Sequence, residues 1–137
     1  MKTVVFVCVH NSGRSQMAEA FFNQIAAGKA IALSAGTQPG DKVHPVVVEA
    51  MKEIGIEISG NKPKMLTLEM IEKADKMITM GCGADAAGLC PAGFVETEDW
   101  ALDDPKVKTI SDVRIIRDEI KRRVRDLLAK IISEESS

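Results

Sequence analysis

Lys2-Thr3-Val4-Val5-Phe6-Val7-Cys8-Val9-His10-Asn11-Ser12-Gly13-Arg14-Ser15 is the stretch on which the reading of this chain turns. Lys2 to Val7 is a β-branched and aromatic run of strand length, apolar almost throughout, as a strand buried inside a parallel sheet should be. Cys8 to Ser15 then reads as a polar loop. Beyond it Met17, Ala20, Phe21, Gln24 and Ile25 recur at helical spacing, with Gly28 as the stop. A strand, a short polar loop and a helix in that order bring loop N–H groups and a positive helix end to one place, which suits an anion.

The same alternation continues outward. Ala30 to Ser34 reads as a strand closed by Ala35-Gly36-Thr37, and Pro45 opens a helix with Val47, Val48, Met51 and Ile54 inward and Gly55 as its stop. Thr67 can cap a short helix running to Ala74. Lys76 to Met80 is a third strand and Phe94 to Glu98 a fourth. From Ser111, the residues Val113, Ile116, Ile120, Val124, Leu127 and Ile131 mark a long amphipathic helix. Arg114, Arg117, Lys121, Arg122 and Arg125 are expected on its outer face, as a solvated surface. Residues 134–137 read as a polar tail. Strand and helix alternating in this way predict an α/β fold with a parallel sheet covered on both faces, as one domain over 1–133.

Composition narrows the function. Of 137 residues, 45% are apolar and 28% charged, so a packed core rather than disorder is expected. A net charge of −2 gives no basic field for nucleic acid or a membrane surface. No segment approaches the ~20 apolar residues of a membrane span, and Val4 to Val7 is too short for a signal-peptide core. A cytoplasmic setting, with reduced thiols, is therefore expected. The chain has 3 cysteines and no Cys-x-x-Cys pair, which argues against both a disulfide framework and a closed zinc site. No metal is expected, and redox or nucleophilic use of the thiols fits better.

In such sheets, sites lie at the carboxyl ends of the strands. Cys8 ends the first strand, Cys82 follows the third, and Asp104 follows the fourth. Arg14, separated from Cys8 by five residues, has the planar fork to grip two oxygens of a tetrahedral oxyanion. Val9, His10, Asn11, Ser12, Gly13 and Ser15 complete the oxyanion loop, and Asn11 and Ser15 can stiffen it and donate to sulfur. These surroundings would favour the thiolate of Cys8. Gly81 to Gly93 reads as a loop with a nascent helix. A continuous helix would hold Cys82 and Cys90 ~12 Å apart, beyond the ~7 Å a disulfide spans, so any bridge between them requires refolding. His44-Pro45 reads as a helix start rather than a base, and Trp100 as a packed residue near the thiol-bearing loop.

Cys8-Val9-His10-Asn11-Ser12-Gly13-Arg14-Ser15-Gln16-Met17-Ala18-Glu19 resembles the loop of the low-molecular-weight protein tyrosine phosphatases and of the arsenate reductases that share their fold. Ser34-Ala35-Gly36, Ala50 to Ile56, Glu98-Asp99-Trp100 and Asp103-Asp104-Pro105 extend the resemblance over nearly the whole chain. It implies a flavodoxin-like three-layer α/β/α sandwich, phosphotyrosine phosphatase I-like, with four parallel strands ordered 2-1-3-4. It also implies Asp104 as the acid, and a relay in which Cys8 attacks arsenate, Cys82 attacks Cys8, and Cys90 attacks Cys82. Thioredoxin would then reduce the final disulfide, with glutaredoxin left open as reductant.

Alternatives remain at this point. A phosphatase of the same family would use the same loop, although the chain holds no tyrosine and carries Lys106 where those phosphatases often have an aromatic. Some phosphatase side activity is expected even of a reductase, with phosphate or sulfate as competing anions. A phosphate sensor or phosphocysteine carrier is a third reading. His10 replaces the family's usual glycine: it restricts the loop, adds a donor near the anion, or simply faces solvent. Some of these reductases bind potassium through residues like Asn11, Glu19 and Ser34 and a later aspartate. Lys64 stands where that aspartate aligns, so no potassium requirement is expected. A monomer is expected.

Overall fold

The computed structural model describes residues 2–80, 97–100 and 109–136. Its elements are β1 (Lys2–Cys8), α1 (Arg14–Ala26), β2 (Ala30–Gly36), α2 (Pro45–Lys52), α3 (Leu68–Lys73), β3 (Lys76–Thr79), β4 (Thr97–Asp99) and α4 (Ile110–Ser136). All strand pairings are parallel and the order is β2-β1-β3-β4. β1 has neighbours on both sides, which is why it could afford no polar residue between Val4 and Val7. Its register sets Cys8 opposite Gly36 and Val7 opposite Thr79.

Alternation along β1 divides the core. Val4, Phe6 and Cys8 join a large cluster with residues of α1, α2 and α4, whereas Val5 and Val7 join Met77 on the other face, where Leu33, Leu66, Ile71 and Ala74 pack. Phe6 anchors the thicker layer, with Phe22 at 6.0 Å and Trp100 at 5.8 Å between ring centroids. Each such buried side chain contributes roughly 1.5–3 kcal/mol.

Several local expectations shift. On α1 the buried stripe is Met17, Ala18, Phe21, Phe22 and Ala26, while Gln24 is exposed and Ala20 and Ile25 are only partly covered. The helix lies between the sheet and α4, so its buried arc is wider than one stripe. It closes with Ala27 in the left-handed region (φ 48°), followed by Gly28 at φ 89°. On α2, Ala50 is buried and Ile54 is exposed, because the helix ends at Lys52 and Ile54 lies in the turn before Gly55. Thr67 does cap α3, accepting from Met70 N at 3.2 Å.

Arg117 is not on the outer face of α4. It is 8% exposed and donates to the Ala50 carbonyl at 2.8 Å and to Glu53 at 3.0 Å, while Arg114 grips the same carboxylate. These two arginines tie the end of α2 to the start of α4. Residues 134–136 continue α4 rather than forming a tail. No described helix is long and apolar enough to cross a membrane.

Candidate active site

Five consecutive carbonyls shape the loop after β1. Those of Cys8, Val9, His10 and Ser12 accept from the backbone N–H groups of Thr37 (3.2 Å), Gln38 (2.8 Å), Gly40 (2.9 Å) and His44 (2.9 Å). That of Asn11 accepts from Gln16 Nε2 at 3.2 Å. In a trans peptide the C=O and the next N–H point in opposite directions. Holding the carbonyls from outside therefore turns the amides of His10, Asn11 and Gly13 toward the cavity lined by Cys8, His10, Ser12, Gly13, Arg14 and His44. Asn11 N demonstrates the sense of the turn, donating to Cys8 Sγ at 3.1 Å. Asn11 manages this at φ 52°, a conformation its short polar side chain tolerates.

The fit is tight. A Cβ on Gly36 would lie 2.6 Å from the Val9 carbonyl oxygen and 3.0 Å from Asn11 N, so only glycine lets β2 pass this close. A Cβ on Gly40 would lie 2.7 Å from Ser12 Oγ. Gly13, at the N-cap of α1, supplies no side-chain cap, so the first turn offers its amides to the cavity. Arg14 opens that turn and is buried.

Direction can be traced through the buried side chains. The N–H of Lys64 donates to Asn11 Oδ1 at 2.9 Å, and Gln16 Nε2 donates to the same oxygen at 3.0 Å. A backbone N–H can only donate, so Oδ1 is fixed as acceptor and Nδ2 must face Ser15, 2.7 Å away. Ser15 Oγ accepts that bond. A thiolate at Cys8 can only accept, so toward that form Ser15 Oγ directs its one proton to Sγ, 2.8 Å away. Two donors thus converge on a sulfur that is 3% exposed. Such an arrangement suits a nucleophile.

Below the loop, Ser34 Oγ donates to Glu19 at 2.9 Å and Lys64 Nζ approaches the same carboxylate oxygen at 3.9 Å. Burial pushes the Glu19 carboxyl above its usual range, and the Lys64 ammonium and the Ser34 hydroxyl only partly oppose this. Asn11, Glu19 and Ser34 offer oxygen donors of the kind potassium takes, but an ammonium group already shares the carboxylate. The charge balance of this donor set does not fit a resident potassium ion.

The structure therefore brings Cys8, Val9, His10, Asn11, Ser12, Gly13, Arg14 and Ser15 together, with Glu19, Ser34 and Lys64 behind them. Cys82, Cys90 and Asp104 lie outside the described residues. Sequence reading missed Gln16, whose amide also receives Asn61 Nδ2 at 3.3 Å, and the 37–44 loop that holds the carbonyls. Its place directly after Arg14-Ser15, in the run that carries the family resemblance, was the available signal for the former. Backbone donors leave none.

Residues 3–137 match the low molecular weight phosphotyrosine protein phosphatase family. The chain belongs to that family. Within it, a glutaredoxin arsenate reductase of Synechocystis sp. is 39% identical over 134 residues, covering 96% of this chain and 99% of that protein. The thioredoxin-dependent arsenate reductase of Corynebacterium glutamicum superposes with a TM-score of 0.82 at 37% identity over 98% of this chain, which spans 63% of that longer one. The YwlE arginine phosphatase of Geobacillus stearothermophilus gives a TM-score of 0.86 at 25% identity, over 98% and 96% of the two chains. Backbone shape is thus common to reductases and phosphatases of the low molecular weight family, while identity is higher to the reductases.

Proposed function

We propose that this chain reduces arsenate to arsenite. The observation that carries the reading is Cys8 Sγ held by Asn11 N and Ser15 Oγ at the floor of an amide-lined cup. Cys8 attacks arsenic(V), forming an As–S bond, and Asp104 gives a proton to the departing oxygen. Cys82 then attacks Cys8; the As–S electron pair returns to arsenic, arsenite leaves, and a Cys8–Cys82 disulfide forms. Cys90 attacks Cys82 and frees Cys8 as thiolate. Thioredoxin supplies the two electrons that reopen Cys82–Cys90, and glutaredoxin is the competing donor, as the names of the two reductase relatives suggest. The reading includes a monomeric cytoplasmic enzyme on a flavodoxin-like three-layer sandwich, with the Lys64 ammonium in place of potassium. Phosphate and sulfate compete for the cup.

A phosphatase is the second reading, favoured by the TM-score of 0.86 to an arginine phosphatase. One comparison separates the two. Cys82→Ser abolishes arsenate turnover and spares hydrolysis of a phenyl phosphate ester, while Cys90→Ser allows about one turnover before stalling. Indifference of arsenate turnover to both changes would refute the relay. Arsenite release with thioredoxin, and then with glutaredoxin and glutathione, identifies the reductant.

A further inference from the structure

We propose that His10 selects the protonation state of the oxyanion, favouring phosphate and arsenate over sulfate. The proposal rests on the reading of the loop as an oxyanion site and adds a specificity-determining residue to it. His10 Nδ1 lies 2.9 Å from the Gln38 carbonyl oxygen. A carbonyl can only accept, so Nδ1 carries the proton and a neutral His10 has its lone pair on Nε2. That bond ties the ring, and the main chain beneath it is held as well, because the His10 carbonyl accepts from Gly40 N at 2.9 Å and Ser12 Oγ at 3.2 Å. His10 lines the cavity with Cys8, Ser12, Gly13, Arg14 and His44. Nε2, on the far side of the ring from Gln38, is the polar atom it can turn to a bound anion.

Near neutral pH, phosphate and arsenate still carry hydrogen on oxygen, whereas sulfate carries none. A P–OH or As–OH group can donate to the Nε2 lone pair, and the neutral ring becomes one more partner. Sulfate presents only lone pairs to a lone pair, so its binding requires His10 to take up a proton and become a donor. One hydrogen therefore lies between Nε2 and the anion in either complex. Phosphate and arsenate bring it with them, and sulfate must recruit it from solvent.

Other groups around the cup titrate or carry charge. Cys8, Arg14 and His44 share the cavity, and Asp41 and Lys42 on the adjoining loop are exposed. Phosphate itself passes from mostly monoanion at pH 6 to mostly dianion at pH 8 while sulfate stays a dianion, so the comparison of the wild type with a variant at the same pH isolates His10. His10→Asn is the informative variant, since the shorter amide can still donate to Gln38 but has no atom at the Nε2 position.

Calorimetry of inorganic phosphate and sulfate binding, at pH 6 and pH 8 in buffers of different ionisation enthalpy, tests this. Wild-type protein at pH 8 should prefer phosphate by roughly tenfold, one hydrogen bond's worth, and take up more protons with sulfate than with phosphate. At pH 8 His10→Asn should lose both the preference and the extra proton uptake with sulfate, and at pH 6 it should differ less from the wild type. Equal proton uptake with phosphate and sulfate by the wild type at pH 8 overturns the role of His10, even if the variant fails to fold. A cup that binds neither anion overturns the oxyanion reading of the loop and the proposal with it.

Discussion

Two polar networks in this chain use the same bond types to opposite ends. Behind Cys8, Lys64 N, Asn11, Ser15 and Sγ form a buried chain in which each donor has one available acceptor. On α4, Glu119 is gripped by Arg122 and Arg123, with distances as short as 2.5 Å, yet all three side chains are at least 30% exposed. Water can replace any bond in the second network at little cost. In the first, a missing partner leaves a buried group unsatisfied. Partners are fixed only where solvent is absent, and only the first network controls a reacting atom.

Substitutions break or sharpen that contrast. Cys8→Ser has the largest effect: arsenate reduction falls by at least about 10⁴-fold, with melting temperature little changed. Asn11→Ala comes next, since it deprives Lys64 N of its acceptor and Gln16 Nε2 of one of its acceptors, and frees the Ser15 hydroxyl to rotate. About 1–3 kcal/mol of stability by denaturant titration and roughly 10²-fold in kcat/KM should be lost. Asn11→Gly separates the strain at φ 52° from the side-chain bonds, because glycine relieves only the former.

Gly36→Ala should cost about 1–3 kcal/mol and weaken phosphate binding, because its Cβ meets the Val9 carbonyl at 2.6 Å. A smaller effect is expected from Lys64→Asp, which replaces the ammonium with a carboxylate. Arsenate kcat/KM should then rise on exchanging sodium for potassium at equal ionic strength, while the wild type stays flat. A several-fold potassium stimulation of the wild type would refute the substitution argument.

The smallest effect is Glu119→Gln, for which arsenate turnover should not change. Glu119 is held down to about 2 by hydrogen bonds from Arg122 and Arg123, so what it adds to stability is present above the ordinary 4.5 and is lost as pH falls toward about 2. Glu19 has the opposite sign. Its carboxyl is raised by burial, so its favourable contribution is complete below the ordinary carboxylate range and is lost as pH rises past it. Melting curves of Glu19→Gln and Glu119→Gln against pH should diverge from the wild type in opposite directions.

The sequence made β1, the loop and α1 legible because a buried strand, a polar loop and a periodic helix leave different marks in adjacent residues. The inner positions of α4 were legible for the same reason, from Val113 through Ile131, all buried. Arg117 was misplaced because periodicity records only the angle at which a side chain leaves the helix. It cannot record that the Ala50 carbonyl and Glu53 wait on α2. Phe22 was left off the helical stripe although it is buried, because α1 is covered by both the sheet and α4, and Gln24, placed on the stripe, is exposed. The oxyanion loop was visible through its side chains. The donors that shape it were not, since Thr37, Gln38, Gly40 and His44 act there through main-chain amides that every residue but proline possesses.

That backbone seam between the 8–12 and 37–44 segments carries its own rule of inheritance. For the bonds donated by Thr37, Gln38 and His44 the side chain is immaterial, and the constraint falls on two negatives: no proline where an amide is required, and no β-carbon at Gly36 or Gly40. Pro39 obeys the first, standing between the amides of Gln38 and Gly40 that grip Val9 and His10. Moving that proline by one position in either direction would unfasten the cradle while leaving the chain's composition untouched.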